Sequence, residues 1–252
     1  TYRKEHWNFW RNLYVVDVRQ AHHFRQLFRV AELLGYEGVG ESRHVEFGFM
    51  KLPEGAISTR AGTAISLEKV IEEAETRALQ VIKEKNPDLA NPKKIAAIVG
   101  LSALKYFDLS HNRRSDIIFS WDAALSFEGN TGPYIQYTHA RLKSILRKAG
   151  GQDVKHSASN TAELDSAEHT LLVSALRFPE AVEDVLADWS PHVLASYLYK
   201  LAQETNEFYH SHPVMQEQDT AKRAFRLALV NVVALTLARG LSFLGIDAPE
   251  EM

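Results

Sequence analysis

The 252-residue sequence contains no cysteine. This absence excludes disulfides, cysteine-ligated zinc and thiol catalysis, and it makes the reducing cytoplasm the expected compartment. No uninterrupted run of about 18 apolar residues occurs, so no segment is expected to span a membrane. The first residues show no signal- or transit-peptide pattern. The sequence begins at Thr1 and not at an initiator Met, which is typical of a trimmed or truncated chain.

Several catalytic and metal-binding motifs are also missing. The sequence has no Gly-x-Ser-x-Gly, no Walker loop and no Gly-x-Gly-x-x-Gly. Eleven histidines are present, but the pairs His22-His23 and His210/His212 lack a third ligand at metal-site spacing, so no metal site is predicted. The formal net charge of −3 argues against a general polyanion binder. The basic runs within 141–148 and 222–226 are then either local nucleic-acid contacts or solvated helix faces.

The apolar share of 45% and charged share of 24% predict a folded chain with a sizeable core. Residues 13–18 and 44–52 have strand patterns, and a helix is predicted between them at 24–34, as in part of an open α/β sheet. Gln20 follows the end of the first strand, where such sheets bind ligands, although ordinary solvated loop residues occupy the same place. Further predicted elements are helices at 67–85, 92–99 and 101–107 and a strand at 116–119.

The second half of the chain has only helical patterns. A polar segment follows Gly150-Gly151, and helices are then predicted at 161–176, 179–188, 191–210 and 217–244. Their wide apolar faces predict an α-helical bundle.

A single stretch, residues 129–141, joins the two halves and reads GNTGPYIQYTHAR. Pro133 suits the first helical position, and a helix is predicted from there to Ala149. One face of this helix is apolar, and another carries Tyr134, Tyr137 and Arg141, with Lys148 further along. That second face either stacks nucleic-acid bases or consists of half-buried packing residues, and spacing alone does not separate the two.

The loop at 53–63 contains two glycines together with Ser58, Thr59 and Arg60. Backbone N–H groups near glycines, hydroxyls and a guanidinium make a plausible phosphate site. Such tripeptides are common in ordinary loops, so the signal by itself is weak.

Six motifs, taken in chain order, resemble those of the arginyl-tRNA synthetases. The stretch 129–141 is similar to the family's Gly-Pro-Tyr-x-Gln-Tyr-x-x-x-Arg signature, and Ser174-Ala175-Leu176-Arg177 resembles its Asp-Ala-Leu-Arg tetrapeptide with Ser in place of Asp. The other similar segments are Gln-x-x-His-Phe at 20–24, His-Val-Glu-Phe-Gly at 44–48, the degenerate Lys-Met-Ser-Lys-Ser loop at 58–62 and the carboxyl end at 244–252.

The resemblance implies a fold and an activity. The fold has two parts. Residues 1–131 form an α/β part, an incomplete Rossmann-like catalytic remnant together with its helical connection. Residues 132–252 form an all-α, helical-bundle anticodon-binding domain. The activity is that of a class I ligase that joins arginine to its tRNA through an arginyl-adenylate. The intact enzyme would use ATP and Mg²⁺ with arginine and tRNA-Arg as partners, and the chain is expected to be a monomer without a tightly bound cofactor.

The same resemblance implies roles for individual residues. Gln20 would contact arginine, and aromatic and basic side chains would surround the unstacked bases of the anticodon loop. The implied sets are Ser58, Thr59 and Arg60 for catalysis at the phosphates; His44, Phe47, Gly48 and Gly62 for ATP; and Tyr134, Tyr137, Arg141, Tyr209 and Met252 for the anticodon loop.

Departures from the family pattern affect the catalytic part. The family's ATP-binding His-x-Gly-His and its arginine-binding Tyr-x-x-x-Asp do not occur, and Ala56 and Ala61 replace frequent lysines. The resemblance therefore implies a carboxyl-terminal fragment that binds tRNA and is inactive alone. The alternative is a stand-alone tRNA-binding or interaction module without catalysis.

Overall fold

The computed structural model describes residues 2–51, 66–150 and 164–252, and most of them are helical. The predicted phosphate-loop residues Ser58, Thr59, Arg60 and Gly62 lie outside these ranges. The first part contains α1 (Tyr2–Trp7), β1 (Leu13–Asp17), α2 (Ala21–Leu33), β2 (Arg43–Phe47), β3 (Met50–Lys51), α3 (Leu67–Lys85), α4 (Pro92–Leu109), β4 (Ile117–Ile118) and α5 (Trp121–Ala124). The second contains α6 (Gly132–Lys148), α7 (Ser166–Leu176), α8 (Phe178–Asp188), α9 (Pro191–Ser211) and α10 (Thr220–Phe243).

The described strands form two separate parallel pairs. β1 pairs with β2 in the register Leu13↔Arg43 to Asp17↔Phe47, and β3 pairs with β4. The strand predicted at 44–52 is therefore divided at Gly48-Phe49. Gly48 donates its N–H to the Arg113 carbonyl oxygen at 2.7 Å, and a Cβ atom at this position would overlap the Ser115 carbonyl. The division arises because the chain leaves β2 to run closely past the segment after α4.

The prediction of two short helices at 92–99 and 101–107 is wrong. α4 continues without a break from Pro92 to Leu109. Gly100 does not end a helix there; a Cβ atom on it would come within 2.8 Å of the Ala74 backbone in α3. Gly100 is thus a point of close approach between two antiparallel neighbours, and its role becomes visible only when α3 is in place.

The other helix ends follow local signals. The Ser66 hydroxyl accepts the Lys69 N–H at the start of α3, and Asn86-Pro87 follows its end. At the start of α6 the Thr131 hydroxyl accepts the Tyr134 N–H, and Pro133 lies in the first turn. The predicted bounds of α3 agree with the structure, and those of α6 differ by one residue.

The helical bundle has one continuous core, formed mainly by α6, α7, α9 and α10. Within the described ranges, α10 is the one helix long and apolar enough to cross a membrane by length and composition. Its apolar character has a structural explanation, because Val230, Val233, Leu237 and Leu241 are all buried inside the bundle. An α-helix surrounded by other helices is apolar on several faces.

Candidate nucleic-acid interface

The carboxyl-terminal residues lie along one face of α6. The Gln136 amide donates to the Asp247 carbonyl at 2.6 Å and to the Ser102 hydroxyl at 2.8 Å. His139 Nδ1 lies 3.0 Å from the Pro249 carbonyl, and Arg147 donates to the Glu250 carbonyl at 3.1 Å. Since Gln136 is fully buried, this residue of the signature positions the chain end rather than contacting a ligand.

A second face of α6 presents Tyr137 and Arg141, and the end of α9 adds Tyr209. The Arg141 Cζ atom lies 4.8 Å from the centroid of the Tyr137 ring and 5.4 Å from that of Tyr209. Both rings remain partly exposed, at 38% and 37%. We call this group, Tyr137, Arg141 and Tyr209, the Tyr–Arg–Tyr clamp. It combines two aromatic rings with a positive charge, as single-stranded nucleic-acid sites do.

The clamp borders a cavity of about 470 Å³ between α6, the α3–α4 loop and the carboxyl-terminal residues. Met252 also lines this cavity, and its carbonyl oxygen accepts a hydrogen bond from the Asn86 amide at 2.9 Å. Lys148 adds a further positive charge. Four predicted anticodon residues therefore meet at one cavity: Tyr137, Arg141, Tyr209 and Met252.

Tyr134 occupies a different environment from Tyr137. Its ring packs edge-on against Tyr199 at a centroid distance of 5.6 Å, and its hydroxyl accepts a hydrogen bond from Asn206 at 2.9 Å. The packing alternative left open by the spacing thus describes Tyr134, which is half-buried, whereas Tyr137 is exposed.

The basic residues within 141–148 and 222–226 have different environments: some pair with acidic residues, some are buried, and some line the cavity. In the first run, Lys143 pairs with Glu250 at 2.8 Å and Arg147 with Glu251 at 3.3 Å, so both contact the chain end. In the second, Arg226 is buried. Arg141, Arg147 and Lys148 of the first run all line the cavity, and Glu250 and Glu251 line it as well.

Three of the residues predicted for arginine and ATP, Gln20, Phe47 and Gly48, lie at or just after the carboxyl ends of β1 and β2, whereas His44 lies near the start of β2. Gln20 is exposed in a 3₁₀ turn after β1, and Phe47 is the last residue of β2. His44 stacks on Phe24 at a centroid distance of 4.5 Å, and its Nε2 lies 2.9 Å from the Val16 carbonyl. With the Gly48 N–H donated to Arg113, His44 and Gly48 both make contacts within the fold.

Asp116 lies at this edge although the sequence did not single it out. It accepts the Phe49 N–H at 2.8 Å and the Lys51 ammonium at 2.7 Å. The hydrogen bond from Lys51 is the main cause that lowers the pKa of the Asp116 carboxyl below its usual value. An acidic residue at the first position of the strand predicted at 116–119 is the only sequence signal for this arrangement.

Asp165, Glu168 and His212 place ligand atoms close enough together for a metal ion. These groups already have partners: His212 Nε2 lies 2.7 Å from Asp165 Oδ2, and Arg226 donates to Glu168 Oε1 at 2.7 Å. Glu168 also accepts the Asp165 N–H in a capping box at the start of α7. The arrangement is that of an ion-pair network joining α7, α9 and α10.

The buried His139 predicts a pH dependence of stability. Burial is the main cause that lowers the pKa of this imidazole, and Lys143 acts in the same direction, while the Pro249 carbonyl and Glu250 oppose them. The unfolded chain therefore binds more protons than the folded chain below about pH 6.5, so stability falls as the pH decreases from there. We expect His139→Asn, which retains an N–H donor near Nδ1, to reduce the loss of Tm between about pH 7.5 and about pH 5.5.

His111 provides the control for this prediction, because its Nδ1 also lies 2.6 Å from a carbonyl oxygen, that of Phe107, but on an exposed surface. Thermal unfolding of wild type, His139→Asn and His111→Asn at both pH values gives the comparison. An equal effect of the two substitutions would contradict a specific role for His139.

Two family models match the chain on either side of the α6 junction. Residues 1–121 match a model described as the catalytic domain of class I tRNA synthetases (R), and residues 135–252 match one described as the DALR anticodon binding domain.

Curated relatives match over the whole chain. Arginine–tRNA ligases of Alkaliphilus metalliredigens and Halothermothrix orenii are 42% and 38% identical, each over all of this chain and 44% of the relative. The chain thus spans less than half the length of the curated relatives it matches. Among solved structures, arginyl-tRNA synthetase of Thermus thermophilus matches 96% of this chain and 41% of its own, with a TM-score of 0.88 and 37% identity.

Proposed function

This chain belongs to the arginyl-tRNA synthetase family, and we propose that it binds the anticodon loop of an arginine tRNA through the Tyr–Arg–Tyr clamp. The supporting observation is that Arg141 lies between two partly exposed tyrosine rings at the rim of a cavity. Unstacked bases of an RNA loop can stack on the rings, and the guanidinium can donate to base edges or phosphates. Met252 would complete one side of the site, and Tyr134 would support it from within the bundle.

We place the ligase activity in a longer enzyme, which would use ATP and Mg²⁺ to join arginine to tRNA-Arg. That enzyme would be cytoplasmic and monomeric. In that enzyme Gln20 would contact arginine, and Phe47 with the 58–62 loop would contribute to the ATP site. The chain supplies only part of such a site, because the family's His-x-Gly-His and Tyr-x-x-x-Asp motifs do not occur in its sequence. We therefore expect no arginine-dependent ATP–pyrophosphate exchange from the 252-residue chain, with or without tRNA.

Exposed apolar residues in the α/β part support this expectation. Val15, in the middle of β1, is 65% exposed, and Leu33 at the end of α2 is 69% exposed. Parallel sheets are normally covered on both faces, and two strands do not make a stable sheet alone. Robust exchange by this chain would overturn the expectation while leaving tRNA binding to be judged separately.

Binding of an RNA stem-loop that carries the arginine anticodon tests the clamp. We expect Tyr137→Ala and Tyr209→Ala each to weaken binding about 5- to 150-fold, since one stacked base contributes about 1–3 kcal/mol. Fluorescence anisotropy at two salt concentrations measures both the affinity and its electrostatic part.

Tyr36→Ala is the matched control, because Tyr36 is exposed but lies after α2, in the α/β part and away from the clamp. It should leave the affinity unchanged. The proposal fails when the wild-type chain does not bind the stem-loop, or when the clamp variants lose no more affinity than the control.

A further inference from the structure

Asn206 is the residue that connects Arg141 of the clamp to Tyr134. It lies on α9, opposite α6, and its Nδ2 donates to the Tyr134 hydroxyl at 2.9 Å and to the Thr138 hydroxyl at 3.1 Å. Its Oδ1 accepts a hydrogen bond from Arg141 Nη1 at 2.9 Å. The amide orientation follows from these neighbours, because a guanidinium can only donate and therefore requires Oδ1.

We propose that Asn206 is a positioning residue that gives the clamp its discrimination between anticodon bases. This inference rests on the proposed function, and it assigns to Asn206 no contact with RNA. Asn206 acts through Arg141, whose guanidinium is held between two rings and by one hydrogen bond at Nη1.

The hydrogen bond between Arg141 and Asn206 affects base discrimination because it orients the guanidinium. An arginine side chain has about 2 kcal/mol of rotamer entropy, and a free guanidinium must lose it when it binds a base edge. With Nη1 bonded to Asn206, the orientation of the guanidinium plane is set before RNA arrives. Preorganised donors discriminate because a base that cannot accept in that geometry leaves them unpaired.

The neutrality of Asn206 is a second part of the inference. Among the described residues, Arg141 contacts no carboxylate within ion-pair distance. A carboxamide therefore fixes the guanidinium without neutralising it. The positive charge stays available for the RNA, whereas an aspartate at position 206 would keep the acceptor but cancel the charge.

The experiment compares two RNA stem-loops, one with the arginine anticodon and one with its middle base replaced, and measures the ratio of their affinities. We expect Asn206→Leu to reduce this ratio about tenfold, as loss of one base-reading arginine would. Arg141→Ala should reduce it by a similar factor. In the double variant the ratio should fall no further, because Asn206 acts only through Arg141.

Asn206→Asp keeps the acceptor for Arg141 and provides a conservative variant. We expect it to retain the affinity ratio while weakening binding of both stem-loops and lowering the salt dependence. Gln203→Leu, on an exposed position of α9 one turn earlier, is the control and should change neither affinity nor ratio. Thermal unfolding of each variant shows whether it is folded, and Asn206→Asp carries the test should Asn206→Leu not fold.

Three results would overturn the inference. Asn206→Leu could keep the wild-type ratio of affinities for the two stem-loops, or its effect on that ratio could add fully to the effect of Arg141→Ala. The third is a reduced affinity ratio in Asn206→Asp. A wild-type chain that binds neither stem-loop instead overturns the proposed function itself. The two failures are therefore distinguishable.

Discussion

Replacing Arg226 by methionine is expected to lower the free energy of unfolding by about 3–5 kcal/mol, the cost of leaving a buried charge without its partner. Arg226 on α10 is 5% exposed, and Glu168 on α7 is 1% exposed. The guanidinium donates to Glu168 at 2.7 Å and to Glu217 at 2.8 Å. Without it, the Glu168 carboxylate remains buried at the junction of α7 and α10.

Arg223→Met is the control, since Arg223 is exposed on the same helix one turn earlier, and it should change stability little. The double variant Arg226→Met with Glu168→Gln removes both charges but keeps the acceptor for the Asp165 N–H, and it should recover part of the loss. Urea and thermal unfolding followed by circular dichroism measure all three. Equal stability of Arg226→Met and Arg223→Met would contradict the buried ion pair.

Replacing Arg113 by methionine is expected to cost about 3 kcal/mol, because hydrogen bonds from a charged donor contribute more than neutral ones. Arg113 donates to three backbone carbonyl oxygens, those of Glu46 at 2.7 Å, Asp188 at 3.0 Å and Trp189 at 3.1 Å. The first belongs to β2 and the other two to the end of α8. Arg113 thus joins the α/β part to the bundle, and its loss removes hydrogen bonds to carbonyl groups of both.

The neighbouring Arg114 offers a matched comparison. It bonds to the side chains of Glu46 and Asp188 and is half-exposed, so Arg114→Met should have a smaller effect that decreases between about 0.05 M and about 0.5 M salt. The Arg113→Met effect should persist at both concentrations. Hydrogen exchange of peptides covering 43–51 and 186–190 gives a local measurement, and unchanged exchange in Arg113→Met would refute its joining role.

Local signals predicted most helix ends. Pro133 in α6 and Pro191 at the start of α9 act within one turn of their own positions, so sequence alone was sufficient to place them. Some starts were misplaced, since α2, α7 and α10 begin at Ala21, Ser166 and Thr220 and not at 24, 161 and 217. Two further errors occur at glycines. Gly100 and Gly48 allow distant backbone to approach, and the sequence does not show which segment approaches them.

The candidate site was partly predictable for the same reason. Tyr137 and Arg141 lie four residues apart on one helix, so helical spacing places them together. Asn206 is 65 residues from Arg141 in the chain, and Asn86 is 166 residues from Met252. Neither asparagine belongs to a recognisable motif, because side-chain positioning across helices has no sequence period.

By itself, the sequence determined the two-part organisation, the helical bundle, the family resemblance and the helix that displays Tyr137 and Arg141. Only the tertiary structure decided that Tyr134 packs against Tyr199, that Gln136 and His139 bond to the chain end, and that Asn206 bonds to Arg141. The physical reason is the separation along the chain of the residues that interact. Caps and helical faces are set by residues within about one turn, whereas burial and hydrogen bonding between helices depend on which helices meet.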